Sequence, residues 1–76
     1  MIYYLQIEIG GIFDMTIKEL RMNLGMTQKE FSQHFDIPLQ NVQHWEQGFR
    51  NPPEYVLKLV NRLARLEFPN ILVSDD

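Results

Sequence analysis

The sequence has no cysteine, only four glycines and a single tryptophan, and its acidic residues outnumber its basic ones. Each shortage removes a class of function. Without cysteine there is no disulfide framework and no thiolate metal site, a composition that suits a reducing cytosol, so a cytoplasmic location is expected. His34 and His44 are the only histidines, and two imidazoles without a convincing set of further ligands do not make a metal site. No glycine-rich loop cradles a phosphate, and no paired-carboxylate cleft or Ser/His/Asp arrangement can be picked out. No catalytic residue, cofactor or enzymatic role is therefore assigned. No apolar run approaches the ~20 residues that cross a bilayer. The apolar start lacks the basic region and small-residue cleavage site of a signal peptide, so neither a leader nor a membrane partner is expected.

The formal net charge of −3 argues against attraction to a polyanion by charge alone. Its distribution softens the objection. Seven basic residues face five acidic ones between Thr16 and Arg65, while Glu8, Asp14, Glu67, Asp75 and Asp76 lie in the two ends. The middle is mildly basic, but few cations release few counterions, so a purely electrostatic grip on DNA would be weak.

What is present is one domain of 76 residues with a hydrophobic share of 45%, enough for a single core. Its informative stretch runs from Thr27 to Gly48. Thr27 and Glu30 stand in the relation of a capping box, and Phe31 and Phe35 share a helical face, so a helix is predicted over Thr27–Phe35. Asp36-Ile37-Pro38 breaks the period, because a residue before proline is pushed out of the α region. A second helix is predicted from Leu39 to Gln47. Val42 and Trp45 face inward; Gln40, Asn41, Gln43, His44 and Gln47 face out; Gly48 supplies a left-handed cap. Two short helices joined by a tight turn, the second apolar on one side and rich in amides on the other, make a helix-turn-helix.

The flanks complete the fold. Thr16–Leu24 reads as a helix with a second capping box at Thr16 and Glu19 and a buried stripe of Ile17, Leu20 and Leu24, ended by Gly25. Its Lys18 and Arg21 either approach a phosphate backbone or are ordinary solvated charges. Asn51 is a candidate N-cap for a helix from about Pro53 to Leu66 with Val56, Leu59, Val60, Leu63 and Leu66 as its core stripe. Tyr55 and Leu57 then remain as surplus apolar surface, of the kind a small domain hides in a dimer. Residues 1–14 are an extension whose alternation through Tyr3, Leu5, Ile7 and Ile9 is strand-like. It either pairs with a C-terminal strand at Ile71-Leu72-Val73, pairs with its copy in a second subunit, or is dispensable. The helical domain is assigned to residues 15–68 and a tail to residues 69–76.

Leu24-Gly25-Met26-Thr27-Gln28-Lys29-Glu30-Phe31, Phe35-Asp36-Ile37, Val42, Trp45-Glu46-Gln47-Gly48 and Arg50-Asn51-Pro52 together resemble the helix-turn-helix of phage repressors of the lambda repressor and Cro type, also called the Xre type. The resemblance spans roughly residues 16–64. It implies a compact all-α domain, usually of five helices where this chain reads as four, so that either the long helix after Pro53 merges two or the C-terminal segment replaces the fifth, with the short strand pair as an appendage. It also implies double-stranded DNA as partner, a homodimer, and a transcriptional regulator, a repressor of phage, plasmid or bacterial origin. The family positions that reach base edges are Leu39, Gln40, Asn41, Gln43 and His44 here. Gln28 matches a position that bonds the phosphate backbone and braces the recognition helix, and Arg50 and Asn51 match phosphate-contacting positions of the following loop. Amide side chains can bond adenine in two places at once, and Leu39 can touch a thymine methyl. His44 divides between DNA contact and plain exposure.

Two departures matter. Pro38 stands where the family commonly has a capping Ser or Thr, so Asp36 or the loop must compensate, and the recognition face carries no Arg or Lys. Trp45, Phe31 and Phe35 are read as core, His34 as a surface histidine, and Glu46 as a local pairing residue. The rival reading is a protein-interaction module, an antitoxin-like partner or adaptor, that keeps the fold with weak DNA binding or none.

Overall fold

Thr16 and Thr27 start their helices by the same device. The Thr16 hydroxyl accepts from the Glu19 N–H at 3.1 Å while the Glu19 carboxylate accepts from the Thr16 N–H at 3.0 Å. Thr27 and Glu30 repeat the exchange at 3.0 and 2.8 Å. The computed structural model describes residues 14–72, and the extension over residues 1–13 and the segment over residues 73–76 lie outside them. Helix α1 spans Ile17–Leu24, α2 Gln28–His34, α3 Leu39–Gln47, α4 Glu54–Glu67 and α5 Pro69–Leu72. The first three bounds follow the sequence because caps are local.

Each of these three helices runs out into a left-handed residue, Gly25 at φ 70°, Asp36 at φ 57° and Gly48 at φ 85°. The next N–H then reaches back to an orphan carbonyl: Met26 to Arg21 at 3.1 Å, Ile37 to Ser32 at 2.8 Å, and Phe49 to His44 at 3.0 Å. This is the Schellman arrangement. It fixes the tight turn between α2 and α3. No side chain caps α3 at Pro38, so Asp36 does not compensate for the missing hydroxyl; its backbone shapes the turn instead.

The core gathers Ile17 and Leu20 from α1, Phe31 from α2, Val42 from α3, and Val60 and Ala64 from α4. Leu24, Phe35, Trp45, Val56 and Leu57 pack around it half-buried. Helix α1 touches α3, α4 and α5, and α2 lies chiefly on α3.

Helix α4 departs from expectation. Leu59, Leu63 and Leu66, predicted for the core, are 54%, 44% and 77% exposed, while Val60, Asn61 and Ala64 are buried. Leu57, expected on the surface, is half-buried. The helix is turned by about one residue because Asn61 anchors it: its Oδ1 accepts from the Met15 N–H at 2.8 Å, and its Nδ2 donates to the Met15 carbonyl at 3.0 Å. The Leu57 carbonyl takes a further bond from the same nitrogen at 2.8 Å. A buried amide that is satisfied this way outranks an aliphatic pattern, since leaving the backbone groups of Met15 unpaired costs about 1–3 kcal/mol.

Three smaller corrections follow. Pro53, not Asn51, occupies the N-cap of α4, without a side-chain bond. Ile71 and Leu72 lie in the single helical turn α5 rather than in a strand. Five helices therefore occur among the described residues, and of the two alternatives the fifth element is the C-terminal segment after Pro69, not a part of α4. His34, exposed as expected, places Nε2 2.6 Å from Glu67 Oε1 and joins α2 to the end of α4.

Candidate nucleic-acid interface

Glu46 holds α3 from behind. Its carboxylate, with only 5% of the side chain exposed, receives Arg21 Nε on Oε2 at 2.7 Å and Arg21 Nη2 on Oε1 at 3.0 Å. Gln28 Nε2 donates to the same Oε1 at 3.0 Å, and Arg21 Nη1 donates to the Met26 carbonyl at 3.1 Å. One carboxylate thus ties together α1, the start of α2 and the end of α3. Burial alone pushes the Glu46 carboxyl up, but the hydrogen bonds from Arg21 and Gln28, helped by the charges of Arg21 and Lys18, outweigh it and hold the carboxyl below its usual value. The hydrogen bond to Glu46 raises Arg21 against a smaller lowering by burial.

Arg21 is therefore neither near a free phosphate-facing surface nor a plain solvated charge, the two alternatives its position in α1 suggested. Its fork onto a carboxylate at fixed geometry is the strong form of an ion pair. Gln28 braces the recognition helix as its resemblance implied.

With Val42 and Glu46 turned inward, the opposite side of α3 is a ridge. Gln40, Asn41 and Gln47 are exposed, Gln43 and His44 are half-exposed, and Leu39 is 36% exposed at the first turn. At about 100° per residue, Gln40, His44 and Gln47 form the crest, with Gln43 and Leu39 on the flank nearest Gln28. Asn41 and His44 line an open cleft on the other flank together with Arg50 and Asn51. The structure thus gathers the five expected base-facing residues on one helix and sets the three expected phosphate-facing residues on its two sides.

Two residues join this surface that the pattern alone left out. Gln47 is one, outward by periodicity but outside the five expected positions. Phe49, the residue after the Gly48 cap, is 72% exposed, with its ring centroid 5.8 Å from that of His44 at an interplanar angle of 63°. The signal for it was a large aromatic immediately beyond a helix-ending glycine, a position where an apolar side chain folds back on the last turn.

No helix among the described residues is long and apolar enough to cross a membrane. A family model described as helix-turn-helix matches residues 17–67, more than half of the chain. No curated protein and no solved structure matched the chain.

Proposed function

Because this chain belongs to the helix-turn-helix family of the lambda repressor and Cro type, whose domains are DNA-binding regulators, we propose that it is a sequence-specific repressor that binds a roughly palindromic operator as a homodimer. The observation that carries the reading is the amide ridge of α3, which is held rigidly by Glu46 and left open to solvent. A helix of this width fits the major groove, where each base pair shows a distinct donor and acceptor pattern. Gln40 and His44 read base edges, with Gln43, Asn41 and Leu39 supporting them. Gln28 uses one amide proton on Glu46 and can turn the other to a phosphate; Arg50 and Asn51 hold the backbone on the far side. Bound in this way, the protein excludes polymerase sterically.

The second copy is suggested by α4. Tyr55, Leu59, Leu63 and Leu66 are 64%, 54%, 44% and 77% exposed and fall within roughly a quarter of the helix circumference at about 100° per residue. A leucine-rich stripe on the order of several hundred Å² is large for a monomer and suits a two-fold contact in which the same patch meets itself. Such a dimer would set its two α3 helices about 34 Å apart, in successive major grooves.

Mobility-shift titration with DNA flanking the protein's own gene tests the reading. A specific shift that is lost in the Gln40→Ala/His44→Ala double variant supports it, and full affinity and selectivity in that variant would sink it. The absence of Lys and Arg from the ridge favours the second reading, a protein-interaction module with little grip on DNA. No shift on any duplex at low salt would decide for it.

A further inference from the structure

We infer that the cleft behind α3, walled by Ile17, Trp45, Pro52 and Leu57 and bordered by the ammonium of Lys18, is a binding site for a small aromatic monocarboxylate. The inference stands on the cleft itself and goes beyond the DNA-binding reading, since it assigns a ligand to the side of α3 away from the amide ridge.

Size and walls come first. The cleft has a volume of about 490 Å³, inside the ~300–1,000 Å³ usual for small-molecule pockets. Helix α1 contributes Ile17 and Lys18, α3 contributes Trp45 and Glu46, and Pro52, Glu54 and Leu57 close it from the loop and α4. Ile17 is buried, while Trp45, Pro52 and Leu57 are only half-buried. An indole, a pyrrolidine ring and a leucine thus leave apolar surface to whatever enters, and an aromatic body suits them because rings add offset and edge contacts to the area they bury.

Charge selects the head group. Two carboxylates line the cleft, and both are engaged: Glu46 by Arg21 and Gln28, Glu54 by Lys58 with Nζ 3.5 Å from Oε2. Lys18 is exposed and has no hydrogen bond or ion pair among the described residues. One ammonium is therefore left over, close enough for its charge to bear on the Glu46 carboxyl. A carboxylate satisfies it, an amine meets repulsion, and a neutral amide offers only the weaker hydrogen bond of an uncharged acceptor. At about 100° per residue, Trp45 and Glu46 lie opposite the crest of Gln40, His44 and Gln47, and Glu54 and Leu57 lie off the stripe of Tyr55, Leu59 and Leu66. The occupant sits clear of both of those surfaces.

The test titrates the full-length protein, labelled at its side-chain methyl groups, with phenylacetate, 3-phenylpropionate and the neutral phenylacetamide. Both acids should give saturable NMR shifts at the Ile17 and Leu57 methyls by ~10 mM, the weak end for a body of about ten non-hydrogen atoms. The fluorescence of Trp45, the only tryptophan, should change with the same midpoint. Phenylacetamide should bind roughly two- to fivefold more weakly than phenylacetate, the factor for one partly exposed charge pair. Lys18→Met should erase the difference between acid and amide, and Lys18→Arg should keep it. Both variants should melt as wild type does, because the side chain is exposed. Equal binding of acid and amide by wild type, or an undiminished difference in Lys18→Met, overturns the inference. So do shifts at Ile37 and Val56, which line the other cleft beside Trp45, in place of Ile17 and Leu57, and so does the lack of any saturable shift with either acid. No duplex enters these measurements, so the DNA-binding reading stands or falls separately.

Discussion

The Arg21 guanidinium of α1 forks the Glu46 carboxylate of α3, with Nε 2.7 Å from Oε2 and Nη2 3.0 Å from Oε1. The pair sets where α3 sits. Breaking a buried pair from one side costs about 3–5 kcal/mol, and the 17% of the Arg21 side chain that still meets water lowers this to roughly 2–3 kcal/mol. Glu46→Ala should therefore destabilise the domain by about that amount in chemical denaturation. That is a large share of the ~4–11 kcal/mol ordinary for a domain of this size.

The same carboxylate should give the domain an acid limit. Burial raises it, but hydrogen bonds from Arg21 and Gln28 with the charges of Arg21 and Lys18 outweigh that and hold the folded-state value below the ordinary one, so the unfolded chain takes up the proton first as pH falls. The stabilisation is whole above the unfolded value of about 4.3 and is lost as pH drops through the lower folded value. Thermal melts between pH ~6 and ~3 should show the decline, and Glu46→Gln should flatten it. Identical slopes in both proteins would assign the decline to other carboxylates.

Asn61 is buried and satisfied on both sides by Met15. Asn61→Leu, despite its apolar character, should lose about 1–3 kcal/mol, because it strands the N–H and carbonyl of Met15. Stability at or above wild type would show that the amide contributes nothing net.

Asp36 adopts φ 57° at the turn between α2 and α3, where the two comparable helix ends carry glycine. Replacement by glycine removes the left-handed strain, of order 1–2 kcal/mol, and adds unfolded-state entropy of somewhat less. A gain of roughly 0.5–1 kcal/mol is expected, visible as a raised melting temperature with sequence preference unchanged. A loss would mean that the carboxylate itself stabilises the turn.

Leu66→Glu, at a side chain 77% exposed, should leave the protomer within about 0.5 kcal/mol of wild type, as exposed substitutions do, yet convert a dimer to a monomer in sedimentation. Affinity for a two-half-site duplex should fall with it, and affinity for one half-site should not. Unchanged sedimentation would remove α4 as the contact between copies.

What could be read from the sequence was what is local. The bounds of α1, α2 and α3 depend on Thr16, Thr27, Gly25 and Gly48, each acting on neighbours within a few residues, and the amide ridge follows from helical periodicity. The facing of α4 depends on Asn61 meeting Met15, 46 positions away, and an amide in an apolar period carries no mark of such a partner. Arg21 and Glu46 are 25 positions apart, so neither charge revealed its mate. On α4, Leu59, Leu63 and Leu66 are left on the outer side, while Val56, Leu57, Val60, Asn61 and Ala64 form the side that meets the core.

Helix α3 divides its labour by face: Val42 and Glu46 serve the interior, while Gln40, Gln43 and Gln47 make no side-chain hydrogen bond among the described residues and the His44 ring meets the exposed ring of Phe49. The outer four are thus an exchangeable cartridge. Under the proposed reading their identities can drift, or be rewritten by design, with little penalty to the fold, so address and architecture evolve separately.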